Sequence, residues 1–109
     1  MFKDQIFRDR VAVITGGGTG LGRVFALRFS ELGAKVVLAS RDPAHLDSAC
    51  AEIRARGGEA AAVPTDVRVP EQVESLVQRT LEQHGRLDIL INNAAGNFLC
   101  KAEIGRAHV

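Results

Sequence analysis

The chain contains no tryptophan and no tyrosine, and its five phenylalanines are the only aromatic residues among 109. A core must therefore be built from aliphatic side chains and alanine, and chemistry that needs a phenolic proton donor is excluded from these residues. Cysteine is almost as scarce. Cys50 and Cys100 stand far apart and form no C-x-x-C pair, which excludes a disulfide scaffold and fits a reducing, cytoplasmic setting. His45, His84 and His108 are scattered without ligand spacing, so no metal is expected. Charge of one sign is missing too. Fourteen Lys and Arg against thirteen Asp and Glu leave a net +1, which provides no basic field and argues against a nucleic-acid partner. No apolar run approaches the ~18 residues of a membrane span. Met1-Phe2-Lys3-Asp4-Gln5-Ile6 carries charges where a signal peptide needs an apolar stretch. Neither a G-x-S-x-G elbow nor a Walker lysine is present.

What is present is an alternation of short apolar runs and longer helical stretches, the pattern of a parallel sheet with crossover helices. Val11-Ala12-Val13-Ile14 is continuously apolar, as a strand buried on both faces requires. It enters the turn Thr15-Gly16-Gly17-Gly18-Thr19-Gly20-Leu21-Gly22. The helix that follows is expected to bury Leu21, Val24, Phe25, Phe29 and Leu32, with Arg28 on the same side, and to end at Gly33. Val36 to Ala39 reads as the second strand. Asp42-Pro43 supplies an N-cap and a first-turn proline for a helix that buries Leu46, Ala49, Cys50 and Ile53 and stops at Gly57-Gly58. Ala60 to Pro64 is a weaker strand. Pro70-Glu71 starts a third helix with the stripe Val73, Leu76, Val77 and Leu81, ending near Gly85. Leu87 to Ile91 is the fourth strand. The fold class is α/β, the N-terminal half of a doubly wound Rossmann sheet with strand order 3-2-1-4.

The glycine turn between a buried strand and a helix has a definite physical task. Glycine allows the tight backbone and a close approach by a ligand, while the helix start offers free N–H groups and the positive end of its dipole to a diphosphate. Gly16, Gly20 and Gly22 are spaced T-G-x-x-x-G-x-G. By that spacing the chain resembles the short-chain dehydrogenase/reductase family from Val11 to Gly96. The resemblance implies that Gly16, Gly17, Gly18, Thr19, Gly20, Leu21 and Gly22 bind a nicotinamide cofactor, and that Asp66, followed by Val67, receives the adenine amino group. It also implies that Asn93, Ala94, Ala95 and Gly96 form the element after the fourth strand that makes room for the cofactor. Taken singly, Asp66 reads equally well as a solvated turn residue.

Cofactor choice follows from charge. An acid near the end of the second strand would select NAD, but Ser40 and Arg41 occupy that region, and a guanidinium can hold a 2′-phosphate bidentately. NADPH is therefore expected over NAD. Asp42 is the competing acid, better explained as a helix cap. Ala39-Ser40-Arg41, Asp66-Val67-Arg68 and Asn92-Asn93-Ala94-Ala95-Gly96-Asn97-Phe98-Leu99-Cys100 resemble the 2,4-dienoyl-CoA reductase branch of the family. That resemblance implies an acyl-CoA substrate contacted by Arg41, Arg68, Asn97 and Phe98, and a homo-oligomeric enzyme. An ordinary ketone or alcohol dehydrogenase and a non-catalytic NADP-binding module remain the alternatives.

The string Glu103-Ile104-Gly105-Arg106-Ala107-His108-Val109 abandons the pattern and resembles a translated sequencing adapter. The expected division is a partial NAD(P)-binding domain over residues 1–103 and a non-native tail over 104–109. The serine, tyrosine and lysine of the family resemblance fall beyond this stretch. No catalytic residue is expected within it, and these residues alone are expected to be inactive.

Overall fold

The computed structural model describes residues 5–18, 20–93, 103–104 and 107–108. Four parallel strands, β1 (Val11–Thr15), β2 (Lys35–Ser40), β3 (Ala60–Pro64) and β4 (Ile89–Asn92), form one sheet in the order β3-β2-β1-β4. Helices α1 (Gly20–Glu31), α2 (Pro43–Ala55) and α3 (Pro70–His84) connect them. Glu103–Ile104 and Ala107–His108 pair as two short antiparallel strands, β5 and β6. This is the Rossmann-type half-sheet expected from the alternation of apolar runs.

Alternation along β1 and β2 divides the core. Ala12, Ile14, Val36 and Leu38 pack with the α1 and α2 residues Ala26, Leu46, Ala49, Cys50 and Ile53 on one face. Val11, Val13, Val37 and Ala39 pack with Leu76 of α3 and with Leu87 on the other. Because α1 and α3 leave the sheet on opposite faces, the chain diverges at the carboxyl ends of β1 and β4. Such switch points are where open α/β sheets bind ligands.

The helix grammar of α2 holds in detail. Asp42 Oδ1 accepts the Ala44 and His45 N–H groups at 3.0 and 3.4 Å, Pro43 opens the helix, and Leu46, Ala49, Cys50 and Ile53 are buried. At the end of α1, Gly33 takes φ +102° and Ala34 N–H reaches back to Phe29 O at 3.0 Å, closing the helix as expected.

The expected face of α1 is corrected. Leu21 and Val24 are 59% and 52% exposed, and Arg28 is exposed. The buried stripe is Gly22, Ala26 and Ser30, one residue per turn. Small side chains let the helix axis approach the sheet closely, so Phe25 and Phe29 flank the contact at half burial instead of forming it. The start of β4 is corrected too. The strand begins at Ile89, not Leu87, because the Asp88 carboxylate accepts the Val11 N–H at 2.8 Å. A side chain thereby takes the place of the first ladder acceptor. Among the described residues β4 pairs only with β1, and no described helix is long and apolar enough to cross a membrane.

Candidate functional site

The site grows from the carboxyl ends of β1, β2 and β3. Gly16 leaves β1 with φ +68° and donates its N–H to Ala39 O at 2.6 Å, so the turn is fastened to the end of β2. Gly22 faces back onto the same turn. A Cβ there would run into the Gly16 carbonyl and come within 2.8 Å of Asn93 Nδ2. Glycine at 22 is thus required by the packing of α1 under the turn, and Asn93 is part of that packing. Thr15 completes the junction. Its hydroxyl donates to Asn92 Oδ1 at 2.8 Å and accepts the Asn93 N–H at 3.0 Å, which ties β4 to β1.

A cleft of 380 Å³ opens beside this turn, lined by Gly16, Gly18, Ser40, Arg41, Asp42, His45, Thr65, Asp66, Val67 and Arg68. The fold brings Gly16, Gly18, Ser40, Arg41, Asp66, Val67 and Arg68 of the sequence-derived site together in one cavity. Gly17 packs against Leu38, Gly20 and the exposed Leu21 start α1, and Gly22 and Asn93 support the turn from below. Thr19, Ala94, Ala95, Gly96, Asn97 and Phe98 lie outside the described residues, as does Cys100.

Two arginines serve this cleft differently. Arg68 clamps Asp66: its Nε reaches Oδ1 and its Nη2 reaches Oδ2, each at 3.0 Å, and its own N–H adds a third bond of 3.0 Å. The Arg68 side chain and N–H, helped by the nearby Arg41 charge, hold the Asp66 carboxyl down to about 2. Asp66 N–H is fixed by Gln72 Oε1 at 2.8 Å. Arg41, by contrast, has no hydrogen-bond partner among the described residues.

Sequence reasoning missed three residues of this region. The sequence shows Asp42 as a helix cap, His45 only as a histidine without ligand spacing and Thr65 with no role, yet all three line the cleft. The signal available for His45 is its spacing from Asp42, one helical turn. Cys50 is buried in the core, and burial pushes its thiol up, away from nucleophilic use. Among the described residues, no three His, Cys, Asp or Glu side chains gather to hold a metal ion.

The Asp66–Arg68 clamp has a measurable signature. A folded-state value near 2 lies below the roughly 3.9 of an unfolded aspartate. The clamp therefore contributes stability above about pH 4 that is lost as the pH falls toward 2. Arg68→Gln is expected to return Asp66 to the ordinary carboxylate range, read by NMR titration of its carboxyl carbon. An unmoved titration would contradict the clamp.

The geometry suits an anionic nucleotide: the glycine turn, a guanidinium without a hydrogen-bond partner among the described residues and an oriented carboxylate line one cavity. Comparison with known proteins agrees with this. The short chain dehydrogenase family matches residues 10–107. A peroxisomal 2,4-dienoyl-CoA reductase of Arabidopsis thaliana is 41% identical over 102 residues, which cover 94% of this chain and 34% of that protein. The crystal structure of a metagenomic short-chain oxidoreductase in complex with NADP is 38% identical, with a TM-score of 0.80, covering 83% of this chain and 41% of that one. A citronellol catabolism dehydrogenase of Pseudomonas aeruginosa is 35% identical with a TM-score of 0.83, covering 89% and 41% respectively. The chain spans about a third of the length of the curated relatives it matches. It belongs to the short-chain dehydrogenase family.

Proposed function

We propose that the chain carries the NADPH-binding half of a reductase acting on 2,4-dienoyl-CoA thioesters. The observation that carries the reading is the meeting of Ser40, Arg41, Asp66 and Arg68 with the glycine turn in one cleft. Gly16 to Gly22, with Thr19, take the pyrophosphate through N–H groups at the start of α1. Ser40 and Arg41 take the 2′-phosphate. Asp66, kept ionised by Arg68, accepts from the adenine amino group, and Val67 lies against the ring. Asn93 to Gly96 leave room for the remainder of the cofactor. The NADP complex of a relative 38% identical supports the cofactor class, and the dienoyl-CoA reductase 41% identical supports the substrate class.

Arg68 spends two of its five side-chain N–H groups on Asp66. The others are available for a phosphate of coenzyme A. With Arg41, Asn97 and Phe98, Arg68 forms the proposed substrate contacts, the arginines for phosphate and Phe98 for the acyl chain. When bound, the nicotinamide cofactor supplies a hydride to the conjugated system, and a proton completes the reduction.

The test is full-length protein with NADPH and a 2,4-dienoyl-CoA, followed by NADPH absorbance. Oxidation that depends on the thioester is expected. No oxidation with the dienoyl-CoA, alongside activity on simple ketones, would overturn the reading in favour of an ordinary short-chain dehydrogenase. The likeness to the citronellol catabolism dehydrogenase favours that second reading.

A further inference from the structure

Arg41 shares its cleft with an ionisable pair that the proposed function leaves unused. Asp42 follows it directly and lines the same cavity, so a carboxylate stands beside the guanidinium assigned to the 2′-phosphate. Left uncompensated, that carboxylate would favour a free ribose hydroxyl and oppose a phosphate. It is compensated. Oδ1 accepts two N–H groups of α2, and Oδ2 lies 2.9 Å from His45 Nδ1. The Asp42 N–H donates to Ser40 Oγ at 3.3 Å, which holds its backbone to the end of β2. His45 is held from the other side. A Cβ on Gly18 would come within 2.9 Å of the His45 Cβ and carbonyl carbon, so the glycine turn packs directly on the first turn of α2.

We propose that His45 is a specificity-determining residue for the cofactor's 2′-phosphate, a positioning residue that acts through Asp42. The inference rests on the NADPH reading above. With Nδ1–H donating to Asp42, the neutral ring leaves the pair with one negative charge, and the protonated ring leaves it with none. Protonation of His45 therefore removes a negative charge from the wall beside the phosphate. NAD carries no charge at that position, so the effect falls on NADP alone.

The other charged groups around the pair do not reproduce it. Arg41 follows the end of β2, Asp66 and Arg68 face the cleft from the loop after β3, and Arg23 of α1 reaches Gly18 O and Ser48 Oγ. The arginines keep their charge across the working range, and Asp66 stays ionised in its clamp. The 2′-phosphate of free NADP itself titrates near pH ~6, a background common to every variant that the comparison with His45→Gln removes.

The experiment measures NADP and NAD dissociation constants on full-length wild type, His45→Gln and Asp42→Asn at about pH 6 and about pH 8. Asparagine preserves the helix cap, so the second variant tests the charge with the fold intact. Relative to His45→Gln, the wild-type preference for NADP is expected to be about threefold stronger at the lower pH. That size suits a half-exposed pair. Asp42→Asn is expected to strengthen the preference at the higher pH and to lose the wild-type difference. Parallel pH profiles in wild type and His45→Gln would overturn the inference and leave the NADPH reading standing. A wild type that favours NAD at both pH values would overturn the NADPH reading itself.

Discussion

Replacing Gly22 by alanine is expected to weaken cofactor binding at least tenfold, in addition to lowering stability. The new methyl would meet the Gly16 carbonyl and Asn93 Nδ2, so a rigid backbone group stands in its way. Overpacking of this kind costs about 1–3 kcal/mol where the neighbour can move. Here the neighbour is the turn itself, whose N–H is bonded to Ala39 O at 2.6 Å. Relief requires either the Gly16 peptide to rotate or α1 to lift from the turn, and each displaces the N–H groups proposed to hold the diphosphate. Gly85→Ala is the control. It sits at the far end of α3 with φ +75° and open space around it, so alanine there costs about 1–2 kcal/mol of backbone strain with unchanged cofactor affinity. Titration calorimetry with NADPH and thermal unfolding separate the two effects. Equal affinities in Gly22→Ala and wild type would contradict the packing argument.

Exchanging Arg41 for aspartate is expected to move cofactor preference from NADPH toward NADH by roughly a hundredfold in the ratio of affinities. A charged hydrogen bond contributes about 1.5–3 kcal/mol, and the substitution both removes it and sets a carboxylate against the phosphate. NADH, without that phosphate, is expected to bind at least as well as to wild type. Arg41→Lys keeps the charge and loses the two-pronged geometry, so it should fall between them. Preference ratios from steady-state kinetics with each cofactor read the series. An unchanged ratio in Arg41→Asp would remove Arg41 from the 2′-phosphate site.

Local grammar made most of this fold legible. The α2 face Leu46, Ala49, Cys50 and Ile53 could be read because an N-cap, a first-turn proline and a terminal glycine fix the helix from within its own sequence. Strand order followed from four apolar runs separated by helices. The face of α1 was misread because large apolar residues dominate a hydrophobic pattern, whereas the contact is made by Gly22, Ala26 and Ser30. Close helix-to-sheet approach selects for size, and an apolar stripe does not register it. The start of β4 was misread because the Asp88 side chain bonds the Val11 N–H, a tertiary substitution that strand periodicity cannot display.

The candidate site divides along the same line. Ser40, Arg41 and Asp66 are legible because each lies at or just past the end of a strand, where the topology gathers loops. The clamp of Asp66 by Arg68 is two residues long and still unannounced, since only the folded turn brings Nε and Nη2 onto the carboxylate. His45 depends on the contact between Gly18 and α2, which joins segments far apart in the chain.

Everything proposed for this cleft requires that it recognise a 2′-phosphorylated adenosine. That recognition is tested most directly by titrating the full-length protein with adenosine 2′,5′-bisphosphate and with adenosine 5′-monophosphate, ligands that differ only in the 2′-phosphate. At least a tenfold tighter complex with the bisphosphate is expected, lost in Arg41→Asp. Equal affinity for the two nucleotides would contradict it.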